Sequence, residues 1–140
     1  MGSRRTARER ALQALYQLEI ADGGADDALA AAWAASAEGD KVDPETQRFA
    51  KELVSGVQTH LLEIDGLIRD YSQHWRIDRM ARIDRNVLRL GTFELKYRAD
   101  IPRSVSIDEA VELGKRYGSE DSSSFVNGLL DRIAQALGKT

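Results

Sequence analysis

Hydrophobic residues recur at helical spacing along most of the chain. Phe49, Leu53, Val57 and Leu61 follow one another at intervals of four residues, which places them on one face of a helix. Apolar stripes of the same kind occur in the other segments between the predicted helix breaks. The pattern therefore predicts an all-α protein, a compact bundle of about seven helices.

Polar, glycine and proline residues predict where these helices begin and end. Asp43 followed by Pro44 is a helix-start signal, because aspartate can accept from free amides and proline needs no amide there. The segment 106–109 matches a capping box, with serine at the cap and glutamate three residues on. Asp121 or Ser122 can cap the last helix. The predicted helices span about residues 3–21, 26–37, 44–61, 64–75, 87–98, 107–117 and 122 to the C-terminus, with Gly39 and Asp40 as one break and a break near Leu62 and Glu63 left open.

Composition supports this class and limits the size of the protein. A chain of 140 residues with 42% hydrophobic content is long enough for one domain with a hydrophobic core. It is too short for two domains that each bury a core of ordinary size. We therefore expect a single domain over residues 1–140. No run approaches the roughly 18 apolar residues of a membrane span, and residues 1–10 lead into an amphipathic pattern. These features predict a cytoplasmic protein that does not contact membranes.

The residues that most enzymes and metal sites require are scarce. The chain has no cysteine, which excludes a disulfide, a thiolate metal site and a cysteine nucleophile. Neither His60 nor His74 has a partner at a usual ligand spacing, so we interpret both as structural. Residues 122–124 are serines without a nearby histidine, and no phosphate-loop, GxSxG or GxGxxG motif occurs. We expect no enzyme activity, no catalytic residue, no metal and no cofactor.

The net charge of -3 at pH 7 hides a strong local segregation. Residues 1–10 hold four arginines and one glutamate, whereas residues 22–45 carry seven acidic residues and one lysine. On a helix, Arg4, Arg5 and Arg8 lie near one edge, from which they can reach adjacent phosphates. A solvated helix end explains the cluster equally well. Because arginines at a helix start oppose the helix dipole, the placement slightly favours a function.

Two aromatic residues extend this candidate surface. Tyr16 lies two helical turns beyond Arg8, and Phe125 lies at the start of the last predicted helix. Proteins commonly read unstacked bases of single-stranded RNA by stacking them on aromatic rings. Position in the sequence alone nevertheless favours a core role for each of the two rings.

Glycines recur within the predicted helices of the second half. Gly91, Gly114 and Gly128 lie among apolar residues that carry the helical stripes. We expect them to allow close helix packing or loop geometry. Asn127, beside Gly128, is interpreted as structural in preference to a base-reading residue.

The order and spacing of several motifs resemble the NusB family. The matching segments are RRTARERALQALY at 4–16, DRNVLR at 84–89, EL at 94–95, IP at 101–102, VSIDEAVELGK at 105–115, YG at 117–118 and FVNGLLD at 125–131. The resemblance spans nearly the whole chain apart from about residues 22–42. It is specific because both the order of the motifs and the distances between them match.

The resemblance implies a function in transcription. Members of the family are all-helical proteins that bind the boxA element of nascent RNA together with the ribosomal protein NusE. They help RNA polymerase to resist termination in ribosomal RNA operons, so the polymerase complex is an indirect partner. By this resemblance the RNA-binding residues are Arg4, Arg5, Arg8, Tyr16, Glu120, Asp121, Ser122 and Phe125, and the NusE-binding residues are Asp84 and Tyr16.

The sequence departs from the family pattern near its start. Family members often carry a denser arginine run, which Thr6 and Ala7 interrupt here. Each lost phosphate contact weakens RNA binding and lowers its salt dependence. RNA affinity in the absence of NusE is therefore an open question.

Two alternative interpretations stay open. A homodimer that occludes the RNA surface fits the alanine-rich face and the acidic net charge. NusB-like domains also occur fused to ribosomal RNA methyltransferases, which raises the alternative of an accessory domain. Because this chain has no cofactor-binding segment, we expect no methylation by the chain alone.

Overall fold

The computed structural model describes residues 3–36, 43–73 and 76–140. These residues form seven α-helices and a short 3₁₀ turn, with no strand among them, which confirms the all-α prediction. None of the described helices has both the length and the apolar character needed to span a bilayer. The helices are α1 (Ser3–Ile20), α2 (Ala25–Ala34), α3 (Pro44–Thr59), α4 (Leu61–Tyr71), α5 (Arg82–Tyr97), α6 (Arg103–Tyr117) and α7 (Ser122–Ala136), and the 3₁₀ turn is Ile77–Arg79.

The chain divides into two compact units, Met1–Gln58 and Thr59–Thr140. The first unit contains α1 to α3, and the second contains the 3₁₀ turn and α4 to α7. The single domain expected over residues 1–140 stays a prediction. The break predicted at Gly39 and Asp40 and the end of the predicted fourth helix, with His74, lie outside the described residues.

In the first unit, α1 packs against α2, and small side chains are among the residues that these helices bury. Ala7, Ala11 and Ala14 are fully buried on α1, and Leu29 is buried on α2. Alanine methyl groups let two helix backbones approach, since they occupy little space between the axes. Burial of apolar surface here stabilises the helix that carries the arginine cluster.

The start of α3 is fixed by the two residues that predicted it. The backbone N–H of Thr46 donates to Asp43 Oδ1 at 2.8 Å, and Pro44 is the first helical residue. The hydrogen bond from Thr46 lowers the pKa of Asp43, because it stabilises the carboxylate form. The helix-start prediction is confirmed. The buried face of α3 then consists of Thr46, Phe49, Ala50, Leu53, Val54 and Val57.

The second unit is built around α5, which packs against α4, α6 and α7. At Gly91 a Cβ atom would lie 2.6 Å from Leu130 Cδ1 of α7, so glycine permits the close approach predicted there. At Gly114 a Cβ would make only ordinary contacts of 3.6 Å. At Gly128 it would meet Arg132 Nη1 at 3.7 Å, in the middle of α7. Both glycines lie inside helices and neither is required by close packing, so the packing or loop role predicted for Gly114 and Gly128 is wrong.

The start of α6 differs from the prediction. The helix begins at Arg103, directly after Pro102, so Ser106 lies inside it and cannot be its cap. The buried Ser106 hydroxyl instead donates to Oε1 of the buried Glu94 at 2.8 Å. The capping-box prediction is wrong because the serine satisfies a carboxylate of α5, which a local motif does not reveal.

A bidentate ion pair joins α4 to α5. Arg89 Nε donates to Asp65 Oδ1 at 2.8 Å, and Arg89 Nη2 donates to Asp65 Oδ2 at 2.9 Å. Arg89 Nη1 also donates to Oδ1 of the buried Asn86 at 3.1 Å. The paired side chains are only 12% and 18% exposed, so water screens their attraction less than at an open surface.

The open question of a break between the third and fourth helices is answered at His60, which separates α3 from α4. The His60 ring stacks on Tyr97 at a centroid distance of 4.0 Å, consistent with the structural role predicted for it. Glu63 accepts from Lys96 Nζ at 2.8 Å and from the Tyr97 hydroxyl at 2.6 Å, which lowers the pKa of Glu63. Burial, with the bond to Glu63, raises the pKa of Tyr97 to about 12.

Candidate nucleic-acid interface

The arginine cluster occupies the first turns of α1, but its members differ in exposure. Arg4 and Arg5 are exposed, whereas Arg8 is only 4% exposed. Arg8 Cζ lies 5.4 Å from the centroid of the Phe49 ring, and Arg4 Cζ lies 4.5 Å from the same centroid. Both distances are within the range of about 6 Å for a cation–π interaction.

This arrangement changes what each arginine can do. Because Arg4 and Arg5 reach solvent, their guanidinium groups are able to meet a phosphate directly. The burial of Arg8 favours a structural contribution over an exposed phosphate contact, and it argues against a purely solvated helix end. The phosphate-facing role that the sequence assigned to all three stays a prediction.

The two candidate stacking rings are both half-buried. Tyr16 lies on α1 beyond the arginine cluster, and Phe125 lies in the first turn of α7. Neither ring belongs to the fully buried core that its sequence position favoured. Partly exposed aromatic rings can both pack on the protein and accept a stacked base. Their roles in RNA binding stay predictions.

A pocket of about 500 Å³ lies in the second unit, between the 3₁₀ turn, the start of α5 and the loop before α7. It brings together Asp84, expected to face NusE, with Asp121, Ser122 and Phe125, expected to face RNA. Glu120 is exposed in the same loop, beside the pocket residues in sequence. The pocket is lined by Arg79, Met80, Ala81, Asp84, Ser119, Asp121, Ser122, Ser124 and Phe125.

Asp84 gives this pocket its hydrogen-bonding character. Its side chain is half-buried, and Oδ1 is buried without a hydrogen-bond partner among the described residues. An unsatisfied buried carboxylate oxygen is unfavourable, so an N–H or O–H donor that entered the pocket would gain a strong, charge-assisted bond. The pocket is therefore suited to a ligand group with donors.

The loop before α7 is held in shape by Ser122. Ser122 is buried, and its Oγ accepts a hydrogen bond from the Ser119 backbone N–H at 2.9 Å. At Gly118 a Cβ atom would lie 2.7 Å from Ser122 Cβ and 2.8 Å from the Gly114 carbonyl oxygen, which glycine avoids. Asp121 occupies the cap position of α7 but makes no side-chain cap bond, and Ser122 is the first helical residue, so the side-chain cap predicted at one of these two residues is wrong.

One wall of the pocket was not predicted from the sequence. The 3₁₀ turn Ile77–Arg79 falls where the hydrophobic pattern weakens, and no helix was predicted there. Arg85 Nη1 donates to the carbonyl oxygens of Ile77 at 3.0 Å and Met80 at 3.1 Å. An arginine directly after Asp84 was the available signal, since guanidinium groups often satisfy the carbonyls of irregular turns.

Within residues 3–36, 43–73 and 76–140, no group of three or more His, Asp or Glu side chains is placed to hold a metal ion. The pocket contains no histidine, and its acidic members are Asp84 and Asp121. Arg79 also lines the pocket and brings a positive charge to it. The site offers acceptors, hydroxyl groups and one aromatic ring, which are groups that bind ligands by hydrogen bonding and stacking.

Comparison with known proteins gives matches over nearly the full length. A model of the NusB family matches residues 5–135. Transcription antitermination protein NusB of Myxococcus xanthus (strain DK1622) is 67% identical over 139 residues, covering 99% of each chain. The solved structure of T. maritima NusB is 41% identical, with a TM-score of 0.85 over 94% of this chain and 90% of its own.

A second solved structure includes a partner. It is described as antitermination factors NusB and NusE in complex with dsRNA, and the matching chain is 30% identical with a TM-score of 0.85. The match covers 97% of this chain and 98% of the other. The family match of residues 5–135 includes the exposed Arg5 and the pocket around Asp84.

Proposed function

The chain belongs to the NusB family, and on that premise we propose that it acts in transcription antitermination by binding boxA-type single-stranded RNA together with NusE. The observation that carries this proposal is the similarity, over almost the whole chain, to a relative named transcription antitermination protein NusB. Ribosomal RNA operons are the proposed target, with RNA polymerase as an indirect partner. The protein acts by binding in the cytoplasm and is not an enzyme.

The described surface supports RNA binding in two places. Exposed Arg4 and Arg5 supply guanidinium groups that can bind the phosphates of the RNA backbone. Tyr16 and Phe125 supply partly exposed rings on which bases can stack. Arg8 contributes from a buried position. The loop residues proposed to lie along the RNA are Glu120, Asp121 and Ser122, with Ser122 acting through the shape of the loop.

We expect the double variant Arg4→Ala with Arg5→Ala to bind boxA-type RNA at least about tenfold more weakly. Each phosphate contact to single-stranded nucleic acid contributes about 0.7 to the salt slope, so the slope should fall by about 1.4. Fluorescence anisotropy of a labelled RNA, titrated with and without NusE at several salt concentrations, measures both quantities. Arg69→Ala, at an exposed arginine of α4, is the control for the loss of positive charge elsewhere on the surface and should leave RNA binding nearly unchanged.

The outcome of this titration separates the alternatives. An unchanged affinity and salt slope in the double variant would show that the arginine surface is wrongly assigned. Preferential binding of a duplex of the same sequence would contradict the single-stranded part of the proposal. If the unaltered protein binds no RNA with or without NusE, the homodimer alternative gains support, and sedimentation at several concentrations then tests it.

We propose that Asp84 contributes to NusE binding, with Tyr16 as a second contact. An acidic pocket wall attracts a basic ribosomal protein and accepts its hydrogen-bond donors. Asp84→Asn keeps the shape of the side chain and removes its charge, so we expect NusE affinity to fall by about three- to tenfold. Isothermal titration with purified NusE measures this change.

The control for Asp84 is Asp108→Asn, at an exposed acid of α6 outside the pocket lining. This variant removes the same charge and should bind NusE as the unaltered protein does. Equal weakening by both variants would indicate long-range charge alone. A loss of RNA affinity without NusE in Asp84→Asn would assign Asp84 to RNA binding and not to NusE binding.

A further inference from the structure

Phe49 connects α3 to the arginines of α1. Its ring centroid lies 4.5 Å from Arg4 Cζ and 5.4 Å from Arg8 Cζ. The ring itself is only 3% exposed, so it cannot serve as a stacking surface for a base. The apolar spacing of α3 accounts for Phe49 as a core residue. It does not account for the two arginine guanidinium groups that lie over the ring.

We propose that Phe49 is a positioning residue for RNA binding, which holds the exposed Arg4 guanidinium ready for a phosphate while Arg8 fills the buried side of the same cluster. This inference rests on the proposed RNA-binding function. Phe49 does not contact RNA. It acts through Arg4, whose side chain is exposed to solvent.

The first physical argument concerns side-chain freedom. A free arginine side chain samples many rotamers, and it loses most of them when its guanidinium binds a phosphate. Attraction to the Phe49 ring restricts Arg4 before RNA arrives. The loss of freedom on binding is then smaller, and affinity rises.

The second argument concerns charge and hydrogen-bond donors. A carboxylate in the place of the ring would also hold Arg4, but it would neutralise the charge and occupy N–H donors. A ring face attracts the cation and leaves the in-plane N–H groups available for phosphate oxygens. An aromatic anchor therefore orients Arg4 without competing with RNA.

The third argument concerns the pair of cations. Arg4 and Arg8 both lie within 5.4 Å of one ring centroid, so their like charges repel. An approaching phosphate relieves this repulsion. The Asp43 cap fixes the start of α3 six residues before Phe49, so the anchor itself is firmly placed.

A double-mutant cycle tests the proposal. Phe49→Leu removes the ring and retains a buried apolar side chain, and we expect RNA affinity to fall about threefold, the size of an exposed cation–π interaction. The salt slope should move toward that of Arg4→Ala. In the Arg4→Ala background, Phe49→Leu should have no further effect. Phe49→Tyr keeps an aromatic ring and should bind RNA as the unaltered protein does.

Two results of the cycle would overturn the proposal. Equal weakening by Phe49→Leu with and without Arg4 would mean that the ring acts only through general stability. Unchanged affinity and slope in Phe49→Leu would mean that the ring does not act on RNA binding. Circular dichroism melting of each variant establishes that the compared proteins are folded.

A measurement on the unaltered protein keeps the test independent of folding defects. The side-chain δ protons of Arg4 should show upfield ring-current shifts in proton NMR spectra of the free protein, because the guanidinium lies over the Phe49 ring. Values typical of a free arginine would overturn the proposal. If the unaltered protein fails to bind the boxA-type RNA with NusE, the proposed function falls as well. RNA binding with an additive cycle overturns the positioning role alone.

Discussion

Gly91→Val is expected to lower the free energy of unfolding by about 3 kcal/mol, because it forces atoms into a filled space between α5 and α7. A Cβ at Gly91 would already lie 2.6 Å from Leu130 Cδ1 and 3.1 Å from Leu130 Cδ2. Leu130 is fully buried, so it has no open space into which to turn. Urea unfolding followed by circular dichroism measures the change.

Gly66→Val is the matched control for this prediction. Gly66 lies inside α4, where a Cβ would meet only the end of the Arg69 side chain at 4.0 Å. The helix propensities of glycine and valine are close, so stability should change by less than about 0.5 kcal/mol. Similar small effects at both glycines would contradict the close approach of α5 and α7.

The second large effect is expected at the ion pair between α4 and α5. Arg89→Ala removes both bonds to Asp65 and the bond to Asn86, and it leaves a half-buried carboxylate without its cation. Breaking a fully buried pair costs about 3–5 kcal/mol. Because these side chains are 12% and 18% exposed, water compensates in part, and we expect a loss of about 2 kcal/mol.

Thermal and chemical unfolding of Arg89→Ala measure this loss, with Arg76→Ala as the control. Arg76 pairs with Asp78 at the surface, where the two side chains are 67% and 63% exposed, so its removal should cost less than about 1 kcal/mol. In an Asp65→Ala background, the effect of Arg89→Ala should shrink strongly. An undiminished effect there would show that the pair does not carry the stabilisation.

The elements that could be predicted from sequence are those whose causes are local. The start of α3 depends on Asp43 and Pro44, which lie next to the helix they begin, and the prediction is confirmed. The role of Ser106, which was predicted to cap α6, depends on a partner twelve residues away, because its hydroxyl donates to Glu94 from inside the helix. A capping motif carries no information about such a partner, so the same kind of reasoning succeeded once and failed once.

The sequence could predict which residues belong to the candidate site, but it could not predict how their side chains are arranged. Helical spacing correctly placed Arg4, Arg5 and Arg8 near the start of α1, but it could not show that Arg8 is buried. Arg8 lies over the Phe49 ring, which comes from a different helix, and helical spacing within α1 does not reveal such a neighbour. The pocket around Asp84 likewise needs a 3₁₀ turn that has no clear hydrophobic period.

In the loop before α7, the residues that determine the backbone path are different from the residues that face solvent. Gly118 and Ser122 determine the backbone path, since a larger residue at Gly118 would collide with Ser122 and the serine hydroxyl bonds within the loop. Glu120 and Asp121 are exposed and make no such demand on the backbone. Over evolutionary time, substitutions at these two positions can alter ligand preference while the loop keeps its shape.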